Sequence, residues 1–260
     1  AEMKRHNLHK HLANLQDGSI DVTVVKEFYA NLYSPEDQSP KQVRVRGHLI
    51  KISADSLNTI LETPVVLEEG ETLPTYSRFT RMRIDPQEFA ARLYIPGRGF
   101  VLNAEGHPWK LLRKDLTTLA QTCSVFSYNN LTLTSHTSDL NMDRAGLVYG
   151  LVTGMDMNFG ALISGQISTI AQSNSFRLEF LALTTTLSRA RGVTTDSLTY
   201  ESLSPAINLA YIKKNCCDVS SIGACRPRIF FVNGFLYFLD DEWQRNGEGR
   251  ERGDATSRRR

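Results

Sequence analysis

The sequence predicts a mainly α protein: a single multi-helix domain with a small N-terminal β-hairpin and a second hairpin signal near the C-terminus. Three observations lead there. Apolar residues recur at three- and four-residue steps through most of the stretch from 20 to 215. Capping residues and prolines stand where helices start and stop. Runs of β-branched and aromatic residues in strand-like pattern are few and short.

The first helix is expected from Asp21 to Tyr33, where Val22, Val25, Tyr29 and Leu32 share a face and Asp21 or Ser19 can cap. Ser34-Pro35 ends it, because proline lacks the N–H that the next turn needs. Val43-Arg44-Val45, Arg46-Gly47 and Leu49-Ile50-Lys51-Ile52 form the N-terminal hairpin, with Gly47 at a turn position that tolerates positive φ. Ser53 caps a short helix carrying Leu57, Ile60 and Leu61. Residues 64–84 read as loop, with Pro64, Gly70 and Pro74. Asp85-Pro86-Gln87-Glu88 then opens a helix with an acidic cap and proline in the first turn, burying Phe89 and Leu93. Pro96-Gly97-Arg98-Gly99 is a turn.

The clearest periodicity follows. Trp109, Leu112, Leu116, Leu119, Cys123 and Phe126 step by 3, 4, 3, 4 and 3, which predicts a central core helix starting at Pro108. Asn129 to Ser138 is a polar connection. A helix from Asn141 to Thr153 closes at Gly154, and Asn158 caps another bearing Phe159, Leu162, Ile163, Ile167 and Ile170. Phe176 to Arg191 is expected to be helical, as is a shorter piece from Ser204-Pro205 to Asn215. Ile229-Phe230-Phe231-Val232, Asn233-Gly234 and Phe235 to Leu239 carry the strongest hairpin signal, since Asn-Gly suits a type I′ turn. The expected organisation is a polar segment 1–19, a helical body 20–218, an aromatic hairpin segment 219–243 and a disordered Arg-rich tail 244–260.

Charge and composition narrow the function. Hydrophobic residues make up 41% of the 260 and charged residues 22%, too apolar a mixture for general disorder. The net charge is +2, but six Arg against Glu248, Glu251 and Asp254 give the tail a local +3, so the body is near neutral. No apolar run reaches the roughly 20 residues that cross a bilayer, and no membrane partner is expected. The first eleven residues are polar and include His6, His9 and His11, so the chain is expected to be nuclear or cytoplasmic rather than secreted. Cys123, Cys216, Cys217 and Cys225 lack the spacing of a zinc site or disulfide framework.

Catalytic motifs are missing as well. There is no GxxxxGK[ST], HExxH or GxSxG, and a carboxylate trio built on Asp139 and Asp143 is one choice among 28 acidic residues. His136 has no nameable partner. The chain is therefore expected to be no enzyme and to use no cofactor, metal or small-molecule substrate. Arg44, Arg46, Arg81 and Arg83 are the candidate nucleic-acid contacts, together with the Arg-rich tail.

Two groups of residues carry a family resemblance. One is Val25-Lys26-Glu27-Phe28-Tyr29-Ala30-Asn31-Leu32 with Val43-Arg44-Val45-Arg46-Gly47. The other is Asn130-Leu131 through Ser135-His136-Thr137-Ser138, Asp143-Arg144, Leu147-Val148-Tyr149-Gly150 and the segment from Gly154 to Ile170, followed by Ile207 to Cys216. Over roughly residues 20–218 the chain resembles the plant transposon protein domain family, found in or near plant retroelement reading frames. The resemblance implies no enzymatic activity. It implies a structural or interaction domain of a mobile element, gag-like in self-association, with RNA or DNA binding through the basic patches as the alternative.

Overall fold

A computed structural model describes residues 19–33, 41–82, 85–132, 138–173, 178–194, 199–200, 216, 229–232 and 235–238. Side chains at 19, 199–200, 229–232 and 235–238 are outside that description. The described body is mainly helical, with small antiparallel sheets between the helices.

Strand β1 (Ser19–Ile20) leads into helix α1 (Val22–Leu32), and the expected cap holds. Asp21 Oδ1 accepts from the Thr23 and Val24 N–H groups at 2.9 and 3.0 Å. Strands β2 (Gln42–Val45) and β3 (His48–Lys51) pair antiparallel across the Arg46-Gly47 turn, where both residues have positive φ, 46° and 82°. Ser53 caps α2 (Ala54–Ile60), and the stretch expected to be loop contains a short helix, α3 (Thr75–Phe79). Asp85 caps α4 (Pro86–Leu93), as its sequence predicts.

The expected helix from Pro108 to Phe126 does not form as one piece. Strands β4 (Val101–Leu102) and β5 (Pro108–Leu112) come first, then a 3₁₀ turn (Arg113–Asp115), and only then α5 (Thr118–Asn130). The cause is a partner about thirty residues away: β6 (Asp139–Asn141) pairs antiparallel with β5, setting Leu111 opposite Leu140 and burying both. Leu116, Cys123 and Phe126 are buried as expected, Leu112 and Leu119 are half-buried, and Trp109 is exposed. Helix α5 runs on to Asn130, into the near end of the expected polar connection, and β6 begins at Asp139, just past its far end.

Helix α6 (Met142–Thr153) starts at the Asn141 cap and stops at Gly154, which takes the left-handed conformation, φ 70°. Helix α7 (Phe159–Gln172) is capped by Asn158. Helix α8 (Leu181–Arg189) begins later than its periodicity predicts, because Phe180 has φ 53° and cannot continue a right-handed helix. Strand β7 (Thr199–Tyr200) pairs with β1. The C-terminal hairpin is present as β8 (Ile229–Val232) against β9 (Phe235–Phe238), with Val232 opposite Phe235. The helix expected after Ser204 and the tail from 244 lie outside the described residues.

Two apolar cores result. One joins α1, β2, β3, α2, α7 and α8 around Phe28, Ile50, Leu57 and Phe159. The other joins α4, β5, β6 and α6 around Phe89, Leu93, Leu111 and Leu140. Helix α5 belongs to both: Val125 and Phe126 enter the first, Ala120, Cys123 and Tyr128 the second. In the second core the rings of Phe89 and Tyr149 stack 4.7 Å apart, with Phe79 stacked on Tyr149 at 5.1 Å.

Helices α2 and α7 meet most closely at Gly160. A Cβ there would lie 2.2 Å from the Ala54 carbonyl oxygen and 2.7 Å from Asn58 Oδ1. That space is used: Asn58 Oδ1 accepts from the Gly160 N–H at 2.7 Å and from Thr63 Oγ1 at 3.2 Å, while Asn58 Nδ2 donates to Asn158 Oδ1 at 2.9 Å. Gly160→Ala is expected to destabilise the protein by about 1–3 kcal/mol or more through overpacking against backbone. Gly165 lies on the same helix with nothing within 4 Å. Gly165→Ala is expected to gain about 0.5–1 kcal/mol in helix preference. Urea denaturation of the two variants checks both signs; equal midpoints would refute the packing argument.

Tyr76 and Tyr149 supply a pH dependence. Burial is the main cause pushing each hydroxyl up to about 12; Asp143 adds to it for Tyr76, and a hydrogen bond from the Tyr149 hydroxyl to Glu88 Oε1 at 2.7 Å adds to it for Tyr149. A folded-state value above the unfolded one means that the neutral form is favoured by folding. Their contribution is thus complete below pH 10 and is lost as pH rises towards 12. Alkaline unfolding followed between those limits is expected to be less steep in Tyr149→Phe than in the parent.

Candidate interaction surface around Trp109

The four arginines singled out by the sequence do not form one site. Arg44 lies in β2 and Arg46 in the β2–β3 turn, and Arg81 follows α3 on a different part of the fold. Arg46 is half-buried and committed to structure: its Nη1 donates to the Thr194 carbonyl, and its N–H donates to Glu27 Oε1 at 2.6 Å. Arg44 and Arg81 are exposed, and Arg83 lies outside the described residues. Among the described residues Arg44 Nη1 donates to the Gly47 carbonyl alone, at 3.5 Å. Of the two aspartates named for a carboxylate trio, Asp139 accepts from Lys110 Nζ at 2.8 Å, whereas Asp143 lies exposed in the first turn of α6.

A different surface gathers around Trp109. In the β4–β5 pair, Val101 is opposite Lys110 but Leu102 is opposite Pro108, so the register shifts and Trp109 is the extra residue of a bulge. A bulge bends its strand and re-aims the side chain it carries. Leu111, two residues on, is buried, whereas Trp109 is 61% exposed and Leu102 beside it 55% exposed. Two large apolar side chains thus stand open to solvent on adjacent strands.

The loop joining the two strands is held firmly. Asn103 Oδ1 accepts from the N–H groups of Glu105 and His107 at 3.1 and 2.8 Å, and the Asn103 N–H donates to the His107 carbonyl at 2.9 Å. Gly106 closes the turn with φ 80°. This loop, Trp109 and the start of α6 line an open depression whose walls include Met142 and Pro108 and whose acids are Glu105 and Asp143. Neighbouring cations are engaged elsewhere: Lys110 with Asp139, and the Arg144 guanidinium 5.9 Å from the centre of the Tyr128 ring. Trp109 was legible in the sequence, but as a core residue. The hairpin signal that would have re-aimed it is Asn103-Ala104-Glu105-Gly106, a turn sequence between Val101-Leu102 and Trp109-Lys110-Leu111.

At the far end of β5, Arg113 Nη2 donates to Cys216 Sγ at 3.8 Å. Cys216 is buried there, and burial pushes its thiol up while Arg113 works in the opposite direction. The contact places Cys216 beside the turn that follows β5.

No group of three or more His, Cys, Asp or Glu side chains suited to a metal ion occurs among the described residues. No described helix is long and apolar enough to cross a membrane. Compared with known proteins, the chain matches the family model of the Putative plant retrotransposon-related domain over residues 4–194, in agreement with the plant retroelement resemblance carried by its motifs. Neither the curated proteins nor the solved structures contain a match.

Trp109→Ala is expected to change stability by no more than about 0.5 kcal/mol, as for other exposed positions. Leu111→Ala, in the second core, is expected to cost about 2–5 kcal/mol. Thermal or urea unfolding of the pair checks the assignment, and a large loss in Trp109→Ala would return that residue to the core.

Proposed function

Because the chain belongs to the plant retrotransposon-related family, we propose that it is a non-enzymatic interaction domain of plant mobile-element origin that self-associates in a gag-like way. The observation that supports this most is the exposure of Trp109 and Leu102, both open to solvent on adjacent strands of a sheet that gives Leu111 and Leu140 to the second core. Tryptophan supplies a large apolar area with few rotatable bonds, which suits an association surface. The helical body, residues 20–218 in this reading, is the rigid support. It holds β5 through β6 and α6.

Nucleic-acid binding is the weaker reading. Of the four arginines it needs, Arg46 is spent on Thr194 and Glu27, and the rim of the Trp109 depression carries Glu105 and Asp143, which repel phosphates.

Size-exclusion chromatography with light scattering, over a range of protein concentrations, tests self-association. The full chain is expected to show a mass that grows with concentration, and Trp109→Ala is expected to reduce that growth without loss of folding. A strictly monomeric full chain at the highest concentration, with and without added RNA, would overturn the proposal. Growth that needs RNA and fades steeply with salt would favour the nucleic-acid reading instead.

A further inference from the structure

The acidic rim and exposed indole of the Trp109 depression have a chemical complement in the chain itself. A guanidinium can lie on an indole face while donating to a carboxylate, and such cation–π contacts gain strength when shielded from water. Glu105 and Asp143 border the depression, and neither has an ion-pair partner among the described residues. Residues 244–260 carry Arg245, Arg250, Arg252, Arg258, Arg259 and Arg260 against three acids. No other stretch of the chain concentrates arginine in this way.

Reach decides whether the same molecule can supply them. Cys216 is fixed against Arg113, four residues along from Trp109, a distance of about 13 Å at strand rise. Residues 217–228 alone can extend to about 40 Å before the β8–β9 hairpin begins. The chain leading to the tail is therefore anchored at Cys216, beside the turn after β5, and is long enough for the tail to return to the sheet.

We infer that the arginine-rich segment 244–260 docks in cis on the Trp109 depression, an arginine lying over the indole between Glu105 and Asp143. This rests on the reading of the Trp109 face as an association surface and adds its regulation: the tail covers the face and competes with a second copy for it. A charged segment is suited to that role because its contact is weak, reversible and sensitive to ionic strength.

The test uses the full chain with Trp243→Phe, so that Trp109 alone fluoresces. Acrylamide quenching is compared with two further variants in that background, one with all six tail arginines changed to Gln, the other Glu105→Gln with Asp143→Asn. Docking in cis is expected to protect Trp109 in the parent, with protection lost in both variants and at about 1 M salt, where charges are screened beyond about 3 Å. Protection should not depend on protein concentration. Equal quenching in all three proteins would overturn the inference, and so would protection that appears only as concentration rises, which would make the occupant a second copy. Light scattering on the same samples separates this from the underlying proposal: the Arg-to-Gln tail variant should associate at lower concentration than the parent. Protection by the tail without any association would leave the docking standing and remove the self-association reading.

Discussion

Helix α5 gives up water around its whole circumference, and the rest of the fold is arranged to permit that. Every residue from Ala120 to Tyr128 is buried, including Gln121, Thr122, Ser124 and Ser127. A buried hydroxyl without a partner costs on the order of 1–3 kcal/mol. Each of these polar groups therefore bonds to nearby backbone: Thr122 Oγ1 to the Thr118 carbonyl at 2.8 Å, Ser124 Oγ to that of Gln121 at 2.8 Å, Ser127 Oγ to that of Ser124 at 2.9 Å and Gln121 Nε2 to that of Leu116 at 2.9 Å. Small self-satisfied residues let apolar side chains approach from both sides. Two cores can then share one helix instead of each facing it with a separate wall. The start of α5 is fixed by backbone bonds from Ile95 to Asp115 and from Thr117 to Leu93, which tie it to the end of α4.

This same burial hides α5 from a reading by periodicity. A helix covered on one side shows an apolar stripe, and α1 with Val24, Val25, Phe28 and Leu32 does so. A helix covered on all sides with serines and threonines shows none. The strongest repeat therefore came from joining the apolar residues of β5 to those of α5, across a strand, a 3₁₀ turn and a cap at Thr117. Three- and four-residue spacing cannot separate these, because Trp109 and Leu112 are equally compatible with a short extended segment. The deciding interaction, Leu111 against Leu140, is long-range and leaves no local mark.

Local chemistry was legible wherever it acts within a few residues. Asp21, Ser53, Asp85 and Asn158 cap the helices assigned to them, because a side-chain oxygen one residue outside a helix meets a free N–H whatever the tertiary context. Gly47 and Gly154 take the positive φ their turns require. The start of α8 escaped because Phe180 adopts a conformation that no local rule grants to phenylalanine. The candidate surface was only half legible. Its residues were visible as an apolar repeat and a turn sequence, but their exposure depends on the one-residue register shift opposite Leu102.

That register shift is also where fold and function meet. In a strand of regular alternation Trp109 would fall on the same side of β5 as Leu111 and extend the second core. With the bulge, the strand turns its largest apolar residue to the surface, beside a loop held by four hydrogen bonds to or from Asn103. An indole left open forfeits roughly 25 cal/mol for each Å² of apolar surface it could have buried. A strand that merely had to complete the sheet could carry a polar residue there at no such loss. The arrangement makes physical sense when the indole is covered in the working state, by the tail or by another copy, and an acidic rim sets which of the charged segments on this chain is attracted first.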